Sequence, residues 1–238
     1  MICLLTSAAV VPGTEQLNPA NGFVDELRRV LPKPCRALFV CSDPEGHEKT
    51  DFYAAVTRAS LEEAGFRFRA FRCLDGRTEE QAAALVRGSE LLILSGGHVP
   101  TQNRFFRRIG LRALLRDHPG VAVGISAGSM NAAELVYAQP EREGEAVDPA
   151  YQRFLPGLGL TKTMLLPHLQ EVREDVLDGL RLFEDISFAD SFGRRFYAIP
   201  DGSWLLAENG REELRGEAWL IRDGAMTQIA REGDILRL

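Results

Sequence analysis

The sequence predicts an α/β fold in which a mostly parallel β-sheet is flanked by helices and ends in an antiparallel hairpin extension. From residue 2 to residue 126, short runs that are apolar on both faces alternate with longer segments of helical periodicity. This alternation is typical of a parallel sheet with helical crossovers. After about residue 160 the rhythm changes, and the pairs Asn209-Gly210 and Asp223-Gly224 predict hairpins that extend the same sheet.

The first half of the chain supplies the predicted parallel strands and their crossover helices. Five apolar runs are the strands: 2–8, 37–42, 67–73, 91–97 and 121–126. Four periodic segments are the helices between them: 23–31, 49–65, 78–88 and 101–117. Within the last helix, the arginines of 104–116 fall among apolar side chains at helical spacing. This stretch therefore predicts an amphipathic surface helix and not a basic binding arm.

The second half is expected to contain one further helix and the antiparallel strands. The apolar run 163–168 precedes a periodic segment, 171–190, which predicts a helix. The stretches 196–210 and 218–230 contain the hairpin strands, and the acidic stretch 140–148 is expected to be a mobile loop. Because the sequence shows no repeat and no linker, a single domain spanning 1–238 is expected.

Composition excludes several classes of partner. With 238 residues the chain can bury a full core without disulfides. Its net charge is −6 and it has no basic stripe, which argues against nucleic acid and anionic membranes as partners. No apolar run approaches the ~20 residues of a membrane span. The oligomeric state stays open, and a homodimer is compatible with the sequence.

The N-terminus and the cysteines indicate a cytoplasmic protein. The first residues, MICLLTSAAVV, lack a basic region before the apolar run, so they predict a buried strand and not a secretory signal. Cys3, Cys35, Cys41 and Cys73 occur singly and have no spacing typical of a metal site. They are interpreted as reduced core thiols.

The segment Gly124-Ile-Ser-Ala-Gly128 is the strongest candidate for chemistry. It follows a buried strand and leads into a helical segment, as a G-x-S-x-G nucleophile elbow does. In such an elbow Ser126 projects above the sheet, and the amide of Ala127 at the helix N-terminus can donate to an oxyanion. The alternative is a βα turn with a helix-capping serine.

One of the four histidines lies where a general base is expected. His118 is predicted to be a surface turn residue and His47 a residue at a helix start, whereas His98 follows a pair of glycines. His168 ends an apolar run, which places it at the rim of the sheet where ligand crevices form. A half-buried structural histidine is the alternative for this position.

Asp201, in the segment Ile-Pro-Asp-Gly-Ser-Trp, is the candidate acid that would orient the histidine. The alternative is a Pro-Asp-Gly turn without a catalytic role. The order Ser126, His168, Asp201 differs from that of α/β-hydrolases, in which the acid precedes the histidine. A hydrolase of that type would need an acid from Glu134 or from the 141–148 stretch.

These segments resemble the dipeptidase E and cyanophycinase family of serine peptidases. The resemblance rests on LILSGGHVPTQNRFF, GISAGS, LPH, EVRED and IPDGSWL, taken in this order. It implies a three-layer sandwich similar to a class I glutamine amidotransferase domain, and a cytoplasmic hydrolase that cleaves short peptides through an acyl-enzyme. Neither a metal nor an organic cofactor is implied.

The resemblance also implies a role for each matching residue. Ser126 would be the nucleophile, His168 the general base and Asp201 the orienting acid, while the amides of Gly97 and Ala127 would form the oxyanion hole. The implied substrate contacts are made by His98, Asn103 and Arg173, and Arg173 would bind an acidic P1 side chain.

The sequence departs from better-known members of this family in the loop after the glycines and in the loop after the nucleophile. His98 stands where they commonly carry Asn, and 137–148 does not resemble the loop of the aspartyl dipeptidases. Two alternatives therefore stay open: a related hydrolase of another amide or ester, and a non-catalytic binding module.

Overall fold

The computed structural model describes residues 1–238. Its strands are β1 Ile2–Thr6, β2 Cys35–Val40, β3 Phe68–Leu74, β4 Leu91–Leu94, β5 Val121–Ile125, β6 Leu135–Tyr137, β7 Phe154–Pro156, β8 Met164–Leu166, β9 Val176–Leu177, β10 Leu180–Arg181, β11 Phe196–Ala198, β12 Trp204–Glu208, β13 Arg211–Arg215, β14 Ala218–Arg222, β15 Ala225–Ala230 and β16 Ile235–Arg237. Its α-helices are α1 Phe23–Val30, α2 His47–Glu63, α3 Ala82–Arg87, α4 Val99–Arg108, α5 Leu111–Leu115, α6 Ala127–Asn131, α7 Leu169–Val172 and α8 Phe188–Asp190. Short 3-10 turns cover Ala20–Gly22 and Glu79–Gln81, and a π-helical turn covers Leu182–Ser187.

The main sheet confirms the predicted α/β class. Its eight strands run in the order β16-β13-β12-β1-β5-β4-β2-β3. The five strands β1 to β5 are parallel to one another, whereas β12, β13 and β16 form an antiparallel edge next to β1. The carboxyl ends of β1, β5, β4 and β2 therefore lie side by side, which is where open α/β sheets form ligand crevices.

A second sheet corrects the prediction that every C-terminal hairpin extends the main sheet. The hairpin at Asn209-Gly210 joins the main sheet, as expected, but the hairpin at Asp223-Gly224 joins β14 to β15 in a separate four-stranded sheet. The order of this second sheet is β15-β14-β11-β8, with β8 and β11 parallel. Ala218 and Ile221 of β14 are buried, so this hairpin has a hydrophobic face of its own to cover.

The sheets and helices stack in layers because successive residues of the central strands point to opposite faces. Leu4, on one face of the main sheet, belongs to the core beneath α1 and α2. Leu5, on the other face, belongs to a core shared with Leu165 and Ile199, residues of or next to the strands β8 and β11. The second sheet is thereby packed against the main sheet.

Two predicted helices are divided in the structure. The segment 101–117 forms α4 and α5, separated at Gly110, whose φ of 64° lies in the left-handed region. The segment 171–190 is not one helix: α7 is followed by the β9–β10 hairpin, whose turn contains Asp178 and Gly179 at φ of 55° and 82°. In both places helical periodicity continued across residues that the backbone uses for turns.

His118 is a further correction, because it is buried and not a surface turn residue. Its Nε2 lies 2.9 Å from the carbonyl oxygen of Val86, and the amide of Gly120 donates to its Nδ1 over 3.1 Å. The ring thus ties the start of β5 to α3. None of the helices combines the length and the apolar character that a membrane crossing requires.

Candidate active site

Ser126 occupies a strained turn between β5 and α6. Its φ of 51° and ψ of −115° are unusual for a residue with a side chain. The amide of Ser126 donates to the carbonyl oxygens of Thr6 and Ser7, both over 3.1 Å, which anchors the turn to the end of β1. A strained turn between strand and helix is the backbone geometry that a nucleophile elbow requires, and the role of Ser126 stays a prediction.

The two glycines of the elbow allow close packing around Ser126. A Cβ at Gly124 would lie 2.9 Å from the backbone nitrogen of Ser129, and a Cβ at Gly128 would collide with the Leu94 carbonyl. Real Cβ atoms do not approach other heavy atoms so closely, so α6 can lie against β4 and β5 only with glycine at these positions. The flanking glycines leave the half-buried Ser126 side chain at the strand end.

The predicted oxyanion amides belong to Ala127, directly after this serine, and to Gly97, in the loop that follows β4. Ala127 is the first residue of α6, so its amide has no partner within the helix. Gly97 has a φ of 145°, and its amide makes no hydrogen bond to another protein group. Gly96 is adjacent to Ser126, since a Cβ at Gly96 would lie 3.4 Å from the serine Cβ. Ser42, at the end of β2, closes the other side of Gly97.

His168 and Asp201 are brought together by the parallel pair β8–β11. In this pair Leu166 lies opposite Ala198, and the amide of Ile199 donates to the Leu166 carbonyl over 2.9 Å. His168 follows β8 by two residues and Asp201 follows β11 by three. The side chains meet because both strands end at the same edge of the second sheet.

The imidazole and the carboxylate form one hydrogen-bonded pair. His168 Nδ1 lies 2.9 Å from Asp201 Oδ1, and the side chains are 29% and 9% exposed. Burial lowers the pKa of His168, but the hydrogen bond and the negative charge of Asp201 outweigh burial and leave this pKa raised. Burial raises the pKa of Asp201, but hydrogen bonds from His168 and Ser7 outweigh it and leave this pKa lowered.

Two further side chains hold this pair in place. The Ser7 hydroxyl donates to Asp201 Oδ1 over 2.6 Å and accepts the backbone amide of His168 over 2.8 Å. The amide of Asp201 donates to Gln170 Oε1 over 3.0 Å. Ser126 makes no direct hydrogen bond to His168 in this structure; catalytic hydrogen bonds often shorten only once substrate is bound.

His98 connects the glycine loop to the acidic loop. Its Nδ1 lies 2.8 Å from Thr101 Oγ1, and its Nε2 lies 2.8 Å from Glu145 Oε1. Glu145 Oε2 accepts the amides of Glu141 and Arg142, both over 3.0 Å. The stretch 140–148, expected to be mobile, is therefore fastened from within and to His98.

Glu141 is an acidic group on this loop whose pKa responds to the charge of His168. The residue as a whole retains accessible surface, yet its carboxyl is crowded enough that loss of solvation, followed by the charge of Glu145, raises its pKa to about 7. His168 acts in the opposite direction on this pKa. A raised carboxyl pKa of this kind occurs often at functional sites.

Of the other two predicted substrate contacts, Asn103 lies inside the protein and Arg173 lies on its surface. Asn103 is 3% exposed, and its amide donates to Asn131 Oδ1 over 2.9 Å, so its side chain joins α4 to α6 inside the protein. Arg173 is exposed, lies over the Trp219 ring at 4.8 Å, and reaches Glu174 at 3.8 Å. Of the two, only Arg173 can meet a ligand without a change in the core.

One group of side chains in the site has the composition of a metal site. A ligand atom from each of His168, Glu171 and Asp201 lies within 4.8 Å of the other two. Imidazole and carboxylate are ligands that zinc accepts. Because His168 and Asp201 already bond to each other, a metal ion here would compete with their hydrogen bond.

Sequence reasoning missed Ser7, Gln170 and the contact made by Ser42. A signal for two of them was present. Ser7 and Ser42 lie at the carboxyl ends of the first two apolar runs, 2–8 and 37–42, and such ends of parallel strands meet at one edge of a sheet. Gln170 had no comparable signal, since its role depends on the turn that α7 makes after β8.

A protein family and solved structures are similar to this chain. Peptidase family S51 matches residues 3–215 of the chain. No curated protein matches the chain in sequence. Among solved structures, a peptidase from an acI-B1 actinobacterium has a TM-score of 0.65 at 16% identity, and covers 100% of this chain and 96% of its own. A candidate peptidase E protein from Listeria monocytogenes EGD-e has a TM-score of 0.56 at 16% identity, over 96% of this chain and 98% of its own.

The two structures share the fold with this chain, and the family match carries the assignment further. It covers nearly the whole main sheet, the elbow at Ser126 and the segments that contain His168 and Asp201. The chain therefore belongs to Peptidase family S51 and is a serine-type peptidase.

Proposed function

We propose that the protein hydrolyses short peptides with a Ser126-His168-Asp201 triad and passes through an acyl-enzyme, as a dipeptidase E-like enzyme. The observation that carries this proposal is the His168–Asp201 hydrogen bond of 2.9 Å at the end of the β8–β11 pair. It fixes the proton on Nδ1 and leaves Nε2 free to accept a proton from a nucleophile. The strained elbow at Ser126 supplies that nucleophile.

Acylation uses these groups in sequence. Ser126 Oγ attacks the carbonyl carbon of the scissile amide while its proton passes to His168 Nε2. The carbonyl oxygen becomes an oxyanion, and the amides of Gly97 and Ala127 donate to it. His168 then gives the proton to the leaving nitrogen as the C–N bond breaks. Asp201 stabilises the imidazolium throughout and stays ionised.

Deacylation repeats the same proton transfers with water. A water molecule gives a proton to His168 Nε2 and attacks the acyl carbon, and the second tetrahedral species is again held by the two amides. The ester bond to Ser126 breaks, the proton returns to its Oγ, and the acid product leaves. Every step uses groups of this chain and substrate or water.

We also propose a preference for an acidic residue before the scissile bond, with Arg173 as its partner. The guanidinium is exposed, held over Trp219, and has only a long contact of 3.8 Å to Glu174, so it can pair with an added carboxylate. A charged pair of this kind discriminates between Asp and Asn more strongly than a neutral hydrogen bond does.

The central experiment tests the nucleophile. Ser126→Ala should lose a factor of about 10⁴ or more in kcat on a cleaved dipeptide and should no longer react with a fluorophosphonate probe. Ser129→Ala is the matched control, because Ser129 is buried on the same helix and its hydroxyl bonds to the Thr6 carbonyl. A folded Ser126→Ala protein that keeps a tenth of the activity would contradict the triad.

Substrate preference is tested separately with matched Asp and Asn dipeptides. We expect kcat/KM for Asp to exceed that for Asn by about 10-fold or more, and Arg173→Met to remove the difference. Arg194→Met is a suitable control, since Arg194 also lies over an aromatic ring, that of Phe154 at 4.2 Å. Equal kcat/KM values in the parent enzyme would reject the acidic preference. Probe labelling of Ser126 without dipeptide cleavage would instead indicate another amide or ester as substrate.

A further inference from the structure

Ser7 is in contact with each member of the proposed triad. It directly follows β1, and no part of it is accessible to solvent. The three triad residues come from distant parts of the chain and from two different sheets, so their relative positions depend on what lies between them. Ser7 is the residue that lies there.

Three hydrogen bonds define this position. The Ser7 carbonyl accepts the Ser126 amide over 3.1 Å. Its hydroxyl accepts the His168 amide over 2.8 Å and donates to Asp201 Oδ1 over 2.6 Å. The backbone bond would survive replacement of the side chain, whereas the two hydroxyl bonds would not.

The hydroxyl bonds act on the two groups whose geometry matters most. Asp201 Oδ1 is also the atom that binds His168 Nδ1, so the Ser7 proton fixes the direction in which this oxygen faces the ring. His168 has a φ of 57°, in the left-handed region, and its amide has no partner other than Ser7 Oγ. Without the hydroxyl, the His168 amide would lose its partner, and the Asp201 carboxylate, whose side chain is 9% exposed, would lose one of its hydrogen bonds.

We propose that Ser7 is a positioning residue that holds His168 and Asp201 in the reactive arrangement. The proposal rests on the proposed triad, but the geometry that Ser7 maintains is that of the His168–Asp201 hydrogen bond alone. Ser7 does not touch substrate. It acts by keeping the Nδ1 proton between the two side chains, and so keeps Nε2 free to accept the serine proton.

Kinetics provide the first test. Ser7→Ala should lower kcat by about 10- to 100-fold, the effect expected when one hydrogen bond to a charged group is lost, with KM changed by less than about 2-fold. Ser129→Ala again serves as control, because it removes an equally buried hydroxyl one turn from Ser126 that bonds only to the Thr6 carbonyl. Equal kcat values in the two variants would overturn the proposal.

A second measurement does not depend on turnover. In ¹⁵N-histidine-labelled protein, the Nδ1 proton of His168 should give a low-field resonance that is absent in His168→Gln. We expect this resonance to be lost or clearly displaced in Ser7→Ala and retained in Ser129→Ala. An unchanged resonance in Ser7→Ala would overturn the positioning role even if the enzyme is active. If no peptide is cleaved but the resonance responds as described, the proposed function fails and the positioning role stands.

Discussion

At the scale of single residues, one hydrogen bond moves two pKa values in opposite directions. The His168–Asp201 contact raises the pKa of His168 and lowers that of Asp201, although burial acts against both shifts. Each of the two groups contributes to the stability of the fold over its own pH range. The stabilisation by His168 is fully present below about pH 6.5, its ordinary pKa, and is lost as pH rises through its raised pKa in the folded protein. The stabilisation by Asp201 is fully present above about pH 3.9, its ordinary pKa, and is lost as pH falls through its lowered pKa in the folded protein. The pair therefore stabilises the fold most between these limits.

The pH dependence of activity should show the raised pKa of His168 directly. The base must be neutral, so kcat/KM should rise with pH and level off above the ordinary histidine value of about 6.5. Asp201→Asn removes the charge and the preferred tautomer, so kcat should fall by about 10⁴ and the remaining limb should move to lower pH. The measurement is a pH series on both proteins. If the rise of kcat/KM with pH is unmoved in an active Asp201→Asn variant, another residue is the orienting acid, and Glu141 is the first candidate.

The raised pKa of Glu141 predicts that its contribution to stability also depends on pH. Because loss of solvation raises its pKa to about 7 while the unfolded chain ionises near its ordinary value of about 4.3, Glu141 costs stability increasingly from about pH 4.3 up to about pH 7, and the cost is constant above that. Glu141→Gln should therefore raise the melting temperature at pH 8 and raise it clearly less at pH 5, where the carboxyl is protonated in the folded protein but ionised in most unfolded chains. Glu143→Gln, on the same loop, is the control. A gain at pH 5 as large as that at pH 8 would exclude this titration as the cause.

The cluster of His168, Glu171 and Asp201 predicts inhibition by zinc. A zinc ion on Nδ1 would drive the ring proton to Nε2, which could then no longer accept the proton of Ser126. We expect reversible inhibition by Zn²⁺ that EDTA relieves, and Glu171→Gln should require more zinc while keeping its basal activity. Glu174→Gln is the matched control, since Glu174 is exposed on the same segment but outside the cluster. Equal zinc sensitivity of all three proteins would contradict this site.

At the scale of elements, the elbow depends on α6 lying close to β4. Gly128→Ala would place a methyl group against the Leu94 carbonyl, and backbone on both sides leaves it little room to move. Overpacking of this kind costs roughly 1–3 kcal/mol, and the displaced helix would carry Ser126 and Ala127 with it. We expect a lower melting temperature and a loss of activity larger than the stability change alone explains, measured by thermal melting and initial rates. Gly13→Ala, where the added Cβ meets nothing within 4 Å, should remain active.

The elements that sequence could predict are those with a single periodicity. The five parallel strands follow from apolar runs and the elbow from two glycines, so the main sheet and the place of Ser126 were predictable from the sequence. The segment 171–190 was not, because its apolar spacing suits a helix while Asp178 and Gly179 adopt left-handed backbone that only turn geometry demands. Ser7 shows the same limit for the site: its neighbours along the chain do not reveal that His168 and Asp201 meet there.

At the scale of the whole molecule, the proposed catalytic groups belong to two sheets. Ser126 follows a strand of the eight-stranded sheet, whereas His168 and Asp201 follow β8 and β11, each of which has only three residues. Short strands open more readily than a large buried sheet. The arrangement of the site should thus be lost before the main sheet unfolds.

The two tryptophans allow this order to be measured. Trp204 is buried in the main sheet, and Trp219 lies in β14 of the second sheet. In Trp204→Phe the remaining Trp219 reports on the second sheet, and in Trp219→Phe the remaining Trp204 reports on the main sheet. In urea, the fluorescence of Trp204→Phe should change at a lower midpoint concentration than the fluorescence of Trp219→Phe, and activity should be lost at the lower midpoint. Each midpoint is compared with the far-UV signal of the same variant, which corrects for changed stability. Coincident transitions for both reporters and for activity would show that the sheets unfold as one unit.

The parallel pairing of β8 with β11 has a consequence for how such an enzyme can diversify. Parallel neighbours need a long connection, and here it runs from residue 169 to residue 195, through α7, the β9–β10 hairpin and the π-helical turn. His168 and Asp201 lie outside this connection, next to the strand ends that set their spacing. Leu182, Phe183 and Ile186 of the connection belong to the core around Ala127 and Leu166, whereas residues 173–176 are exposed and can be exchanged without altering that core. Arg173 lies within this exposed stretch, so exchange of residues 173–176 is a direct route to a new substrate preference on an unchanged reaction centre.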